Sequence, residues 1–226
     1  MNRAAYQAIE AHMLSHMKDS AHDRQHVYRV LYIALDIAAV EDDINDDILI
    51  AACLLHDIGR QRQFDDPVLC HAMEGGRMAY DYLTGSGWRE QDALHVRRCI
   101  ETHRFRAGRP PASPEAKILF DADKVDVAGA MGIARTLLYN GIEGEPLYSV
   151  NADGQPMDGS EDGPDSFLYE YKYKLEGLYD RFYTRRGTEI AAGRREAARR
   201  FYEDLLQEAQ EDHAWGLGCL DAVLED

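Results

Sequence analysis

The sequence predicts an all-α protein, and three observations indicate this fold class. Apolar residues recur at helical spacing, as in Val27, Val30, Leu31 and Ala34. Residues 48–55 are apolar without a break and rich in alanine and leucine, which favours a buried helix. No segment reads convincingly as a strand. We therefore predict helices near residues 3–18, 24–40, 45–58, 71–85, 89–104, 113–139, 166–186 and 188–212.

Local signals support the bounds of two of these helices. The helix near 45–58 stops just before Gly59, and glycine is common where helices end. The helix near 113–139 has Ser113 as its N-cap and Pro114 in its first turn. One face of that helix carries a mostly apolar stripe: Ala116, Leu119, Phe120, Asp123, Val127, Ala130, Met131 and Ala134. A buried carboxylate is costly without a partner, so Asp123 should be paired or should bind a metal ion.

Residues 141–165 form a long irregular segment that is rich in glycine, proline, aspartate and asparagine. Residues 147–150 could form one strand of a short hairpin in it. Irregular segments of this length are often lids or disordered, so a mobile surface excursion and a substrate-covering lid both stay open. The 226 residues suit one sizeable core. We expect a single domain over 1–226, with a motif-bearing core at about 20–140 and C-terminal helices at about 166–212 packed on it.

The composition disfavours two classes of partner. The net charge is -16, and proteins that bind nucleic-acid polymers usually present a strongly basic surface. No apolar run approaches the 18 residues of a transmembrane helix. The first 20 residues lack the apolar core of a signal peptide, and the four cysteines are scattered. We therefore expect a cytoplasmic protein that binds neither a nucleic-acid polymer nor a membrane.

Two imidazoles and two carboxylates stand out as a metal-ligand set. His56 and Asp57 end the apolar run of residues 48–55, and Asp123 lies within the stripe described above. His26 opens the helix that carries Val27 and Val30. Nitrogen and oxygen ligands together suit Mn²⁺, Fe²⁺, Zn²⁺ or Mg²⁺. Four protein ligands leave two positions on an octahedral ion for water and a phosphate oxygen.

The order of these residues resembles that of the HD-domain metal-dependent phosphohydrolase superfamily. The motifs are His-Asp-x-x-His-x-x-Arg-Val at 22–30, His-Asp at 56–57, and Asp-Ala-Asp-Lys-Val-Asp at 121–126. Residues 101–105, 115–119 and 129–135 are similar to stand-alone bacterial HD proteins regarded as nucleotide pyrophosphohydrolases. The resemblance implies an HD-domain helical bundle. It also implies that one divalent metal ion binds to His26, His56, Asp57 and Asp123.

Further histidines and cations complete the predicted site. His71 and His103 could bind a second ion, act as a general acid or contact phosphate, and each could equally be a hydrogen-bonded core histidine. The position of Lys124 resembles that of a phosphate-contacting lysine in the nucleotide-hydrolysing branch. Asp23 orients an imidazole or caps a helix. We predict Asp57, Lys124 and His103 as catalytic residues, and as substrate-binding residues Arg29, Arg60, His71, Arg104, Lys117 and Lys124.

The leading functional hypothesis is hydrolysis of nucleoside triphosphates to monophosphates and pyrophosphate. Mn²⁺ is the favoured cofactor, with Fe²⁺, Co²⁺, Zn²⁺ and Mg²⁺ as alternatives. Ile58, Gly59 and Arg60 follow the His-Asp pair, where HD monophosphatases and guanosine-tetraphosphate hydrolases have an acid, so both branches are disfavoured. A di-iron oxygenase and a nucleotide-binding sensor without turnover stay open. The expected partner is a small phosphate substrate, specifically a nucleotide, and a homodimer is compatible with the sequence.

Overall fold

The computed structural model describes residues 1–17, 24–104, 108–161 and 165–224, and these residues are mainly helical. Over these ranges the backbone forms no strand, and one isolated antiparallel bridge joins Val150 to Pro156. The predicted all-α class is therefore confirmed. Within the same ranges, no helix combines the length and the hydropathy needed to cross a membrane.

The α-helices are named here in chain order. They are α1 (Arg3–His16), α2 (Arg24–Ala38), α3 (Asp46–Leu55), α4 (Arg60–Asp65), α5 (His71–Gly85), α6 (Glu90–Glu101), α7 (Pro114–Val125), α8 (Gly129–Glu143), α9 (Phe167–Glu170) and α10 (Arg185–Val223). A π-helical turn (Tyr171–Leu175) and a 3₁₀ helix (Glu176–Asp180) follow α9.

The chain divides into two compact units. The first consists of Met1–Asp126 and Phe182–Ile190, and the second of Val127–Arg181 and Ala191–Asp226. Each unit has its own apolar cluster, with Leu54 in the first and Phe167 in the second as fully buried members. The expectation of a single domain with the C-terminal helices packed on its core stays a prediction.

In the first unit, α3 is the central helix, and it contacts α1, α2, α5, α6 and α7. The side chain of Asn45 caps its start by accepting hydrogen bonds from the backbone N–H groups of Asp47 and Ile48. Seven of its ten residues are buried, as expected for a helix that is apolar all round. Because α3 is buried, the chain leaves its C-terminal end in the interior, and His56 and Asp57 follow at that point.

The predicted helix over 113–139 is wrong in one respect, because the structure has two helices there. Ser113 and Pro114 begin α7 as predicted, but α7 ends at Val125 and α8 starts at Gly129. Gly129 has a φ of 68°, a left-handed conformation that interrupts a continuous helix and favours glycine. The apolar stripe predicted for one long helix consequently fails beyond the break, and Ala130, Met131 and Ala134 are exposed.

Three other elements differ from the prediction. The six-residue α4 is too short to show apolar periodicity, and it was not predicted. Regular α-helix in the predicted 166–186 segment covers α9 and the first two residues of α10, because the backbone after α9 continues as π and 3₁₀ turns. The last helix continues beyond the predicted residue 212 to Val223. All of these added residues except His213 are exposed, so they carry no amphipathic pattern.

The segment predicted to be irregular begins later than expected, since α8 continues to Glu143. Gly144 ends that helix with a φ of 76°, and α9 begins at Phe167. The strand predicted at residues 147–150 is reduced to the single bridge at Val150. Residues 162–164 of this segment lie outside the described residues, and the choice between a lid and a surface excursion stays open.

Replacing Gly132 with alanine should destabilise the second unit. An added Cβ would overlap the backbone carbonyl oxygen of Val127, and overpacking of this kind typically costs about 1–3 kcal/mol. Gly141, in the same helix, provides the matched control because an added Cβ meets nothing within 4 Å. Gly141→Ala should be neutral or stabilise the protein by up to about 1 kcal/mol. Denaturant unfolding of both variants tests this, and equal stability of the two would contradict it.

Candidate metal centre

Six buried histidine and aspartate side chains meet within the first unit. His26 lies on the buried face of α2, His56 and Asp57 follow α3, and Asp123 lies in the last turn of α7. His71 is the first residue of α5, and His103 follows the end of α6. Each of the six residues is at most 8% exposed. Helix ends and one helix face thus bring together residues that are up to 97 positions apart in the chain.

The four predicted metal ligands lie together. Nε2 of His26 is 3.3 Å from Nε2 of His56 and 3.5 Å from Oδ1 of Asp123. Oδ2 of Asp57 is 3.5 Å from Nε2 of His26 and 3.6 Å from Nε2 of His56. Two atoms that are each about 2.0–2.2 Å from one ion can be at most about 4.4 Å apart. These spacings are therefore compatible with one shared ion.

A second group shares Asp57 with the first. Oδ1 of Asp57 is 3.6 Å from Nε2 of His71 and 3.8 Å from Nε2 of His103. The ligand atoms of these three residues all lie within 4.8 Å of one another, as do those of His26, His56 and Asp123. Asp57 thus directs one carboxylate oxygen toward each group.

The histidine rings present a lone pair to these groups. Nδ1 of His56 donates to the carbonyl oxygen of Cys53 at 2.8 Å, and Nδ1 of His103 donates to that of Ile100 at 2.6 Å. A carbonyl oxygen can only accept, so the proton of each neutral ring is on Nδ1 and the lone pair is on Nε2. This is the tautomer that a metal ligand requires.

The other two rings follow the same pattern with side-chain acceptors. Nδ1 of His71 donates to the side-chain oxygen of Gln63, which also accepts from the backbone N–H of His71. Nδ1 of His26 lies 2.8 Å from Oδ2 of Asp126. In all four rings, therefore, Nδ1 has a hydrogen-bond partner and Nε2 faces the carboxylates.

The buried atoms facing this centre fit a cation. Oδ2 of Asp57 and Nε2 of His71 and His103 are buried, and none has a hydrogen-bond partner among the described residues. Leaving such a group unsatisfied costs about 1–3 kcal/mol. Imidazole nitrogen and carboxylate oxygen are the donors that first-row divalent ions bind. The residues present are therefore compatible with a divalent metal ion.

The charge states also suit metal binding. Burial raises the pKa of Asp57, but the cation of Arg60 outweighs this effect and holds the pKa well below its usual value. Burial likewise raises the pKa of Asp123, and the ammonium of Lys124 holds that pKa well below its usual value. Both carboxylates are consequently ionised at neutral pH.

Three histidines of the centre, His56, His71 and His103, have a lowered pKa and are neutral at pH 7. Burial lowers the pKa of His56. Burial and the cation of Arg60 lower the pKa of His71 to about 2, and burial with neighbouring His56 lowers that of His103 to about 3. Neutral imidazole is the form that binds a metal ion.

Two predicted cations lie beside the centre. Nζ of Lys124 donates to Oδ2 of Asp123 at 2.7 Å and to the carbonyl oxygen of His103 at 3.3 Å. Nε of Arg60 is 2.9 Å from Oδ1 of Asp57. Both side chains keep contact with solvent, at 17% and 32% exposure, so a substrate anion could reach them.

The other predicted substrate contacts are placed less directly. Nη1 of Arg104 is 3.8 Å from Sγ of Cys70, the residue before His71. Arg29 is paired with Asp126. Lys117 lies six residues before Asp123 on α7, which places it about 9 Å away along the helix axis and on a different face. Asp23 lies outside the described residues.

Asp126 is the residue of this site that the sequence reasoning missed. It belongs to the Asp-Ala-Asp-Lys-Val-Asp motif and follows Asp123 by three positions. Residues three apart lie on the same side of a helix, so this spacing could have indicated that Asp126 lies near the site. Asp121, by contrast, lies away from the centre and accepts hydrogen bonds from the backbone N–H groups of Tyr183 and Thr184 and from the Thr184 hydroxyl.

Sequence comparison gives two matches. The HD domain family model matches residues 24–128. An uncharacterized protein of Bacillus subtilis (strain 168), YpgQ, is 34% identical over 137 residues, which is 58% of this chain and 63% of that protein. The alignment thus spans less than two thirds of that relative.

Solved structures extend the similarity over most of the chain. The crystal structure of B. subtilis YpgQ in complex with ADP has a TM-score of 0.70 and 27% identity, and covers 90% of this chain and 97% of that one. An HD-superfamily hydrolase from Bacillus thuringiensis has a TM-score of 0.69 and 25% identity, with 91% and 97% coverage. A Lactobacillus plantarum protein shares the fold, at a TM-score of 0.73 and 24% identity over 92% and 98% of the two chains. With the ordered His and Asp residues of the centre, these matches show that residues 24–128 are similar to the HD domain family and that the chain shares the fold of an HD-superfamily hydrolase.

Proposed function

We propose that the chain is a metal-dependent hydrolase that converts nucleoside triphosphates to monophosphates and pyrophosphate. The observation that carries this proposal is the buried group of neutral imidazoles and ionised carboxylates with Lys124 and Arg60 at its edge. The nucleotide class is supported by the similar protein YpgQ, which was crystallised in complex with ADP. Release of pyrophosphate is proposed on the resemblance of residues 101–105 and 129–135 to bacterial pyrophosphohydrolases.

In this proposal, His26, His56, Asp57 and Asp123 hold a divalent cation. Mn²⁺ is the favoured ion, and Fe²⁺, Co²⁺, Zn²⁺ and Mg²⁺ are alternatives. A bound divalent cation supplies a Lewis acid for the phosphate and lowers the pKa of water. We further propose a cytoplasmic protein that acts on a small phosphate substrate rather than on a nucleic-acid polymer or a membrane, and a homodimer remains compatible with this role.

The chain's own cations balance the charge of the polyphosphate. Lys124 is held at the edge of the centre by Asp123 and by the carbonyl oxygen of His103, and its ammonium lies 5.1 Å from the ring centroid of Phe120. Its flexible stem allows the ammonium to move to a phosphate oxygen. Arg60 has a planar guanidinium that suits a bidentate phosphate contact. Arg104, Lys117 and His71 are further proposed substrate contacts.

His103 is the proposed group for proton transfer. Its Nδ1 proton is held by the carbonyl oxygen of Ile100, so Nε2 is the atom that can accept a proton. Asp57 lies 3.8 Å from that nitrogen and would stabilise the resulting imidazolium. The ring is therefore oriented for proton transfer.

Product analysis tests the proposed reaction. The protein, freed of metal by a chelator and then loaded with Mn²⁺, should release pyrophosphate from one or more members of a panel of ribo- and deoxynucleoside triphosphates. Asp57→Ala should reduce release to the background rate, because it removes a ligand shared by both groups. Asp65→Ala, the same change at an exposed position of α4, should retain the activity.

The outcomes of this assay separate the hypotheses. Release of phosphate without pyrophosphate would contradict cleavage between the α- and β-phosphates and favour a phosphatase. Tight nucleotide binding without product in Mn²⁺, Co²⁺ or Mg²⁺ would contradict an enzyme and favour a sensor.

Two lysines of α7 test the phosphate contact. Lys124→Gln should lower kcat/KM about 10- to 150-fold, the equivalent of the roughly 1.5–3 kcal/mol that a hydrogen bond to a charged group contributes. Lys117→Gln makes the same change two turns earlier in the helix, at the more distant of the two proposed contacts, and should have a much smaller effect. If Lys117→Gln is the more damaging change, the phosphate contact has been assigned to the wrong lysine.

A second candidate function is an HD-type di-iron oxygenase. One observation favours it, namely the group of Asp57, His71 and His103, which provides ligands for a second ion beside the first. This candidate requires two irons per chain and consumption of O₂.

Metal analysis of the loaded protein separates the two candidates. Under the oxygenase hypothesis, His103→Gln should lower the bound iron from two ions per chain to one. His95→Gln, which replaces a partly exposed histidine of the same helix α6, should leave the iron content unchanged. One Mn²⁺ per chain with pyrophosphate release would count against the oxygenase.

A further inference from the structure

We infer that Asp126 is a positioning residue that fixes the metal-binding tautomer of His26, and that Arg29 holds Asp126 in place. The inference rests on the proposed metal-dependent function for its biological meaning. It assigns to Arg29 a different role from the phosphate contact predicted from the sequence. It also gives a role to the third acid of the Asp-Ala-Asp-Lys-Val-Asp motif.

The contacts of Asp126 connect it to both residues. Its carboxylate is buried, and Oδ2 lies 2.8 Å from Nδ1 of His26. Nε of Arg29 donates to Oδ1 at 2.6 Å, and Nη2 donates to Oδ2 at 3.1 Å. The backbone N–H of Asp126 donates to the carbonyl oxygen of Ala122 at 3.2 Å, which ties the residue to the end of α7. Asp126 is therefore held from the backbone and from the side chain.

The carboxylate determines which nitrogen of His26 carries the proton. An ionised carboxylate only accepts hydrogen bonds, so Nδ1 of His26 donates and Nε2 keeps its lone pair. That nitrogen lies 3.5 Å from both Asp57 and Asp123, at the first metal-ligand group. A carboxylate on the far nitrogen also makes the imidazole a more basic ligand. Asp126 thus acts on the metal centre through His26.

Arg29 makes this arrangement possible. A buried carboxylate needs a cation and hydrogen-bond donors, and Arg29 supplies both through two parallel contacts. It lies three residues after His26 on α2, so both side chains extend from one face of that helix. Moving the guanidinium to a substrate phosphate would remove these contacts from a buried carboxylate. This cost favours a positioning role for Arg29.

The test compares Asp126→Asn with wild type and with Asp121→Asn. Asp121 is a buried aspartate of the same helix that binds the Thr184 segment, so its variant controls for general loss of stability. The probe is Mn²⁺ itself, measured in competition with a fluorescent chelator. A second measurement, long-range ¹H–¹⁵N NMR of the metal-free protein, reports which ring nitrogen of His26 carries the proton. A His26→Gln variant assigns the signals.

Asp126→Asn should move the proton of His26. Arg29 can only donate, and its shorter contact is that of Nε with Oδ1, so we expect the oxygen of the new amide at that position. The NH₂ group then replaces Oδ2, where it faces Nδ1 of His26 and no longer accepts from Nη2 of Arg29. The ring proton then shifts to Nε2, the atom that should bind the metal. Mn²⁺ affinity should fall about 10- to 100-fold, the range typical for loss of such a hydrogen-bond partner. Asp121→Asn should keep wild-type affinity and the Nδ1 proton.

An unchanged tautomer, or Mn²⁺ affinity within about threefold of wild type in folded Asp126→Asn, would overturn the inference. Should that variant not fold, Arg29→Gln decides, because it changes a partly exposed side chain. It should weaken Mn²⁺ binding and leave KM for the nucleotide unchanged at saturating Mn²⁺. A raised KM with unchanged Mn²⁺ affinity would instead make Arg29 a substrate contact.

The two proposals can fail separately. The NMR measurement needs neither metal nor substrate, so it tests the positioning role even if the protein hydrolyses no nucleotide. Pyrophosphate release with an unchanged His26 tautomer in Asp126→Asn would retain the proposed function and reject the inference.

Discussion

Asp57 places an ionised carboxylate in the interior of the first unit, where such a group is stable only beside compensating charge or donors. Arg60 compensates part of that charge from the solvent side. The remaining polar surface of Asp57 faces four imidazole nitrogens, two on each side. Those nitrogens present lone pairs rather than protons, so they cannot stabilise the carboxylate as donors. A cation between them satisfies the carboxylate and the imidazoles at once.

The packing of the helices around α3 creates the interior position that Asp57 occupies. Because α3 is apolar over most of its surface, its C-terminal end lies among other helices rather than at the protein surface, and the His-Asp pair follows from that end. The end of α7 is equally important, since the helix carries Asp123 in its last turn and Asp126 directly after it. Gly129 adopts a left-handed backbone conformation just beyond these acids, which interrupts a continuous helix. The break in the helix thus leaves both acids at a helix end, where Asp123 contacts Lys124 and Asp126 contacts His26.

The sequence predicts the helical fold from apolar periodicity. It predicts the grouping of His26, His56, Asp57 and Asp123 from apolar patterns that contain polar residues and from the resemblance of the ordered motifs to HD proteins. The interruption at residues 126–128 could not be predicted in the same way, since the apolar stripe continues in register through Val127 and Ala130. Asp126 was missed for a related reason, because its importance depends on a contact with His26, 100 residues away. Arg29 was assigned to substrate on charge alone. A cation's partner depends on tertiary geometry, and periodicity carries no information about it.

A net charge of -16 is compatible with an anionic substrate, because nearby charges determine the electrostatic field at the centre. Exposed charges further away than the Debye length, about 8 Å at physiological ionic strength, are largely screened. Close to the centre, Lys124 and Arg60 each pair with a carboxylate, and a bound divalent cation would add two positive charges to a site with two carboxylates. Occupancy by metal would therefore leave the two side-chain cations in excess over their acidic partners. Because of this excess positive charge, the centre would attract polyphosphate only when it holds its metal ion. Metal binding should therefore precede productive binding of the substrate.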